Sequence, residues 1–84
     1  MTTPEERKVL ELLAREWDFS GPPGIMDLGE IVAALGQAPT RTLQAVKSLF
    51  QNGLIDMNAL KTSAFLTPEG YAAAVSDRKE GDTG

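Results

Sequence analysis

Apolar residues recur along this chain in short trains at helical spacing, set apart by clusters of Gly, Pro and polar residues. The first train is Val9, Leu10, Leu13 and Trp17, flanked by Leu12; steps of three and four residues predict a helix. Thr3-Pro4-Glu5-Glu6 gives that helix its start. Thr3 suits the N-cap, Pro4 the first helical position, and Glu6 closes a capping box. Acids in the first turn also meet the positive end of the helix dipole. Helix α1 is expected from Pro4 to about Trp17. Phe19-Ser20-Gly21-Pro22-Pro23-Gly24 reads as a loop, because two prolines flanked by glycines cannot continue a helix. Ile25-Met26 is an apolar pair suited to the edge of a small sheet, strand β1.

Asp27-Leu28-Gly29-Glu30 repeats the capping box with Asp as cap. Leu28, Ile31, Val32 and Leu35 follow on one face, and Gly36 is placed to end the helix in the left-handed conformation. This predicts a short α2, Leu28 to Leu35. After the turn Gln37-Ala38-Pro39, the residues Leu43, Val46, Leu49 and Phe50 form a third train. Pro39 suits the first helical position, Thr40 competes as N-cap, and Gln51-Asn52-Gly53 ends the helix. Helix α3 is expected from about Pro39 to Gln51.

Leu54–Met57 and Ser63–Thr67 alternate in part and are joined by Asn58-Ala59-Leu60-Lys61-Thr62. They predict a hairpin of strands β2 and β3, although Ala and Leu are poor turn residues. Thr67-Pro68-Glu69 then repeats the helix-start chemistry, and Tyr71, Ala72 and Val75 can pack inward from α4, about Pro68 to Ser76. The charged, Gly-containing end at 77–84 reads as a flexible tail. The expected class is α+β, mostly helical, in the order α1-β1-α2-α3-β2-β3-α4. A length of 84 residues allows one small domain, placed at 1–76.

That order, with a short α2 and a longer α3 joined by a tight turn, resembles the winged helix-turn-helix superfamily. The resemblance is carried by Asp27 to Gly36, by Pro39 to Leu49, by Asn52-Gly53-Leu54-Ile55 and by Leu66-Thr67-Pro68-Glu69-Gly70-Tyr71. The last of these is similar to the segment that closes the wing in MarR-like and PadR-like regulators. It covers roughly residues 4 to 76. The resemblance implies a DNA-binding domain whose third helix enters the major groove. Its candidate contacts on this chain are Thr40, Arg41, Thr42, Gln44, Lys47 and Ser48 on α3, with Lys61 and Thr62 at the tip of a short wing. Arg can bond guanine, Gln can pair with adenine, and Thr or Ser can reach bases or phosphates.

Charge bears on that expectation in two directions. The net charge of −4 opposes indiscriminate attraction to nucleic acid or to an anionic membrane. Its distribution is polarised: from Pro39 to Thr62 three cations, Arg41, Lys47 and Lys61, face one acid, Asp56. Helix α1, Asp27 with Glu30, and the stretch from Glu69 to Asp82 are each net negative. The leading expectation is therefore a small transcription regulator bound to double-stranded DNA. The alternative is an acidic winged-helix module that binds another protein.

The chain has neither Cys nor His, which removes disulfides, Cys/His zinc sites and thiol or imidazole catalysts. The carboxylates Glu5, Glu6, Asp27 and Glu30 are accounted for by helix capping, so neither a catalytic residue nor a cofactor or metal is expected. Trp17 and Phe19 read as core aromatics at the end of α1. Leu10, Leu13, Tyr71 and Val75 read first as core between helices α1 and α4, and a spare apolar stripe there would make a homodimer seam. Met1 to Glu6 is acidic and unlike a signal peptide, and no apolar run is long enough to span a bilayer, so a cytoplasmic location without a membrane partner is expected.

Overall fold

The computed structural model describes the backbone of residues 3–83 and the side chains of residues 3–76. Four helices and a small sheet follow in the order α1 Pro4–Ser20, β1 Met26–Asp27, α2 Leu28–Leu35, α3 Pro39–Gln51, β2 Ile55–Met57, β3 Ser63–Leu66 and α4 Pro68–Thr83. The strands are antiparallel in the order β1-β3-β2. Met26 pairs with Ala64, which pairs on its other side with Met57, and Ile55 pairs with Leu66. The molecule is thus mostly helical α+β.

Helix α1 is the spine. Its Val9, Leu10, Leu13 and Ala14 are wholly buried, at the spacing that puts them on one face. Ile31 of α2, Val46 and Leu49 of α3, Ile55 of β2, Ala64 and Leu66 of β3, and Ala74 of α4 close over that face. Burying each large aliphatic side chain contributes about 1.5–3 kcal/mol against the entropy of ordering so short a chain. The capping box at Thr3 forms: the Glu6 amide donates to Thr3 Oγ1 at 3.1 Å and the Thr3 amide to Glu6 Oε1 at 2.7 Å. At the start of α2 the Asp27 amide donates to Glu30 Oε1 at 3.2 Å. The Asp27 carboxylate accepts the Ser63 hydroxyl at 2.7 Å, tying the helix start to β3.

The ends of α2 and α3 follow the sequence closely. Gly36 is left-handed, with φ 64°. At the end of α3 the Leu54 amide donates to the Leu49 carbonyl and the Gly53 amide to the Phe50 carbonyl. That pair of bonds is a Schellman closure around Gly53, whose φ is 76°. Pro39 is the first residue of α3, and Ala38, not Thr40, is its N-cap.

Several boundaries differ from expectation. Helix α1 continues three residues past Trp17 to Ser20, so Phe19 and Ser20 are helical. It stops at Gly21, whose amide donates to the Trp17 carbonyl at 2.8 Å. Phe19 is 90% exposed rather than core; two residues along a helix from Trp17, it points away from the face that Trp17 shares with Leu10 and Leu13. Trp17 does pack inward, stacking on Tyr71 with ring centroids 4.5 Å apart, and Tyr71 donates its hydroxyl to Asp18 at 2.6 Å. Strand β1 is Met26–Asp27, leaving Ile25 outside it and 55% exposed. Helix α4 continues to Thr83, beyond the expected end at Ser76.

Candidate nucleic-acid interface

Helix α3 is amphipathic: Val46 and Leu49 of the expected stripe are buried and Phe50 packs against the core, but Thr42 and Ala45 join them and Leu43 does not. Thr42, Ala45, Val46 and Leu49 face inward. Leu43 is 43% exposed. The expected stripe of Leu43, Val46, Leu49 and Phe50 is therefore rotated toward small residues. Thr42 and Ala45 allow α3 to lie close against α1, where a larger side chain would hold the helices apart. Thr42 is consequently withdrawn from the candidate contacts: it is 1% exposed, and its Oγ1 has no hydrogen-bond partner among the described residues.

The outward stripe, at steps of four, three and four, is Thr40, Gln44, Lys47 and Gln51, all exposed. The two flanks of this stripe have different neighbours. On one flank Arg41 and Ser48, seven residues apart, face the start of α1. Arg41 lies 3.9 Å from Glu5, both side chains being substantially solvent-exposed, a pairing worth about 0–1 kcal/mol at most. Ser48 is half-buried and lines one gap together with Glu6 and Glu5 of α1. Burial pushes the Glu6 carboxyl up, but hydrogen bonds from the Thr3 amide, the Ser48 hydroxyl and the Thr3 hydroxyl outweigh it and hold the group below its ordinary value. Ser48 is thus engaged inside the fold, and Glu6, 5% exposed, is the carboxylate that joins α1 to α3.

On the other flank lie Leu43 and Phe50, also seven residues apart, of which Phe50 meets the hairpin. The Lys61 ammonium sits 5.6 Å from the centre of the Phe50 ring. Asn58 builds the hairpin tip: its Oδ1 accepts from the Thr62 and Ser63 amides, its Nδ2 donates to Thr62 Oγ1, and its carbonyl accepts from the Lys61 amide. This makes room for Lys61 at φ 56°, and it explains a turn that Ala59 and Leu60 would not make by themselves. The Thr62 carbonyl accepts from the Leu28 amide at 2.9 Å, pinning the tip to the start of α2. Leu60 projects from the tip, 81% exposed.

The structure therefore brings Thr40, Gln44 and Lys47 onto one open helix edge with Lys61 and Thr62 beside it. It puts Arg41 at the margin, Ser48 against Glu6 and Thr42 in the core. Among the described residues Lys47 and Lys61 make no salt bridge, so both charges are available to an anion. Sequence reading missed Gln51 and Leu43 on this face. The signal for both was present: only a buried stripe of 42, 45, 46 and 49 turns 40, 44, 47 and 51 together to the outside. Among the described residues no group of three or more acidic, His or Cys side chains could hold a metal ion, and no helix is long and apolar enough to cross a membrane. Between α1 and α4, Leu10 and Leu13 lie in the chain's own core, as expected, and Tyr71 packs against it, stacked on Trp17. No family model matches the chain, and no curated protein matches it.

Proposed function

We propose that this chain is a small winged helix-turn-helix protein that binds double-stranded DNA, with α3 in the major groove and the β2–β3 hairpin as a short wing on the adjacent backbone. One observation carries the reading: Thr40, Gln44 and Lys47 share an uncovered edge of α3, flanked by the hairpin that carries Lys61 against Phe50. A helix held by its buried side, with polar and cationic groups along the outer edge, has the form and chemistry to read a groove. The α2–α3 connection of residues 36–38 is short enough to hold both helices as one unit. Gln44 has the donor and acceptor to pair with adenine, and Lys47 and Lys61 neutralise phosphates. Arg41 joins them by leaving its weak contact with Glu5.

Two or three phosphate contacts per chain give a shallow salt dependence, a slope of about −2 to −3 in log affinity against log salt. The test is an amide-shift titration of the labelled chain with a mixed-sequence duplex at low and moderate salt. Shifts confined to residues 40–51 and 60–62, fading with salt, support the reading. Lys61→Ala should then weaken all sequences about equally, whereas Arg41→Ala and Gln44→Ala should change base preference. A uniform loss from all three would remove direct readout.

A second reading is favoured by Leu43 of α3 and Leu60 of the hairpin tip, 43% and 81% exposed. Apolar groups there suit a protein partner, with the acidic remainder of the chain discouraging nucleic acid. No duplex-induced shifts even at low salt would favour this reading, and Leu43→Ser would then be the variant that abolishes partner binding.

A further inference from the structure

On the far side of α1 from α3 lies a groove of about 420 Å³ between α1, α2 and α4. We infer that it is a binding site for a small organic anion: a carboxylate with an aliphatic body. The volume falls within the range of small-ligand pockets, about 300–1,000 Å³. Leu12, Leu35 and Ala74 form an apolar floor, and Arg7, Lys8 and Arg15 form the rim. No aromatic side chain lines it among the described residues, so it offers an alkyl chain van der Waals contact rather than a ring a stacking partner.

The cationic rim is hidden in the charge sum, because α1 as a whole is net negative. The fold sorts those charges. Glu5 and Glu6 turn toward Arg41 and Ser48 of α3. Glu16 accepts the Ser20 hydroxyl and Asp18 the Tyr71 hydroxyl, both at the far end of the helix. Glu11, 3.7 Å from Arg15, is the acid left among three cations. On a chain of net charge −4, this local excess of positive charge over an apolar floor is complementary to an amphipathic anion and repels an amphipathic cation. Leu35 is also the last residue of α2, directly before the turn into α3, so the ligand would seat on the helix that precedes the proposed DNA-reading helix. The inference does not depend on that reading.

The probe is sodium octanoate below its micellar range, with 1-octanol and octyltrimethylammonium as matched neutral and cationic controls, titrated into the labelled full chain. Octanoate should give saturable amide shifts over residues 7–15, 34–36 and 73–75. Octanol should bind about tenfold more weakly, ~1.4 kcal/mol, and the cation not at all. The double variant Arg7→Gln with Lys8→Gln changes two exposed side chains and should keep the fold. It should lose about tenfold in octanoate affinity, ~1.4 kcal/mol, with octanol unchanged. Ala34→Glu, an exposed change on the α2 wall, should abolish octanoate binding without touching the core. Unsaturable shifts, equal binding of octanol and octanoate, or full octanoate affinity in either variant would overturn the inference.

Discussion

Replacing Glu6 by Gln and by Ala weighs the join between α1 and α3. The side chain is 5% exposed, accepts from the Thr3 amide at 2.7 Å and lines a gap shared with Ser48 on α3. Ala removes those acceptors and leaves the Ser48 hydroxyl in a gap lined by Thr3, Glu5, Arg41 and Gln44. Bonds to a charged acceptor contribute about 1.5–3 kcal/mol each, but the Thr3 amide lies near solvent and recovers water. The expected cost is therefore about 1–2 kcal/mol for Ala. Gln keeps an acceptor and loses the charge, at a cost of about 1 kcal/mol. In a chain this short each kcal/mol lowers Tm by roughly 4–8 °C. The sign of the pH effect follows from the direction of the shift. A carboxyl held below its ordinary value stabilises the fold fully above the unfolded value of 4.5, and that contribution is lost as pH falls through the folded value. Urea melts at neutral pH and at successively lower pH should show the gap between wild type and Glu6→Gln closing in the acid range. A gap independent of pH, or an Ala variant within about 0.5 kcal/mol of wild type, would refute the reasoning. The placement of α3 would then rest on apolar packing alone.

Three further outcomes are expected. Thr42→Val, which removes a buried hydroxyl with no hydrogen-bond partner among the described residues, should be neutral or stabilise by up to about 1 kcal/mol; a loss of stability in urea melts would contradict it. Gly70→Ala should destabilise by roughly 3 kcal/mol, because an added Cβ would lie 1.8 Å from the Leu54 carbonyl oxygen and force α4 off the strand end; a Tm close to wild type would mean that α4 shifts freely. Asn58→Ala should cost about 1 kcal/mol overall while hydrogen-exchange protection of the Thr62 and Ser63 amides collapses, since its Oδ1 accepts from both; retained protection would show that the hairpin tip holds itself.

Most of the scaffold could be read from local chemistry. Helices α2 and α3 were legible to the residue because caps, a first-turn Pro and closing glycines mark their ends within four or five positions. The end of α1 was not, because the last turn is stabilised by Trp17 stacking on Tyr71, 54 positions later in the chain, and by the Tyr71 hydroxyl on Asp18. The hairpin was legible as two strands, but its tip was not. Its order comes from one side chain, Asn58, reaching across to Thr62 and Ser63, and composition alone emphasised the unhelpful Ala59 and Leu60.

The candidate interface was less legible for a related reason. Periodicity finds the buried side of a helix when that side is lined by large apolar residues. On α3 it is lined partly by Thr42 and Ala45, which the close approach of α1 requires, while the larger Leu43 is left exposed and Phe50 meets the hairpin. A reading that scores residues one at a time thus sends Thr42 outward and Leu43 inward, and both assignments are reversed by the helix–helix contact. Charge fails in the same way when summed along a segment. Helix α1 is negative in total, yet four of its five acids are drawn to α3, Ser20 and Tyr71, while Arg7, Lys8 and Arg15 gather with Glu11 alone at one groove. Arg41, counted as a cation of the DNA face, stands next to Glu5. The tertiary fold decides which charges meet solvent together. The lysines at 47 and 61, and not the arithmetic of residues 39–62, set the electrostatic strength of the proposed interface.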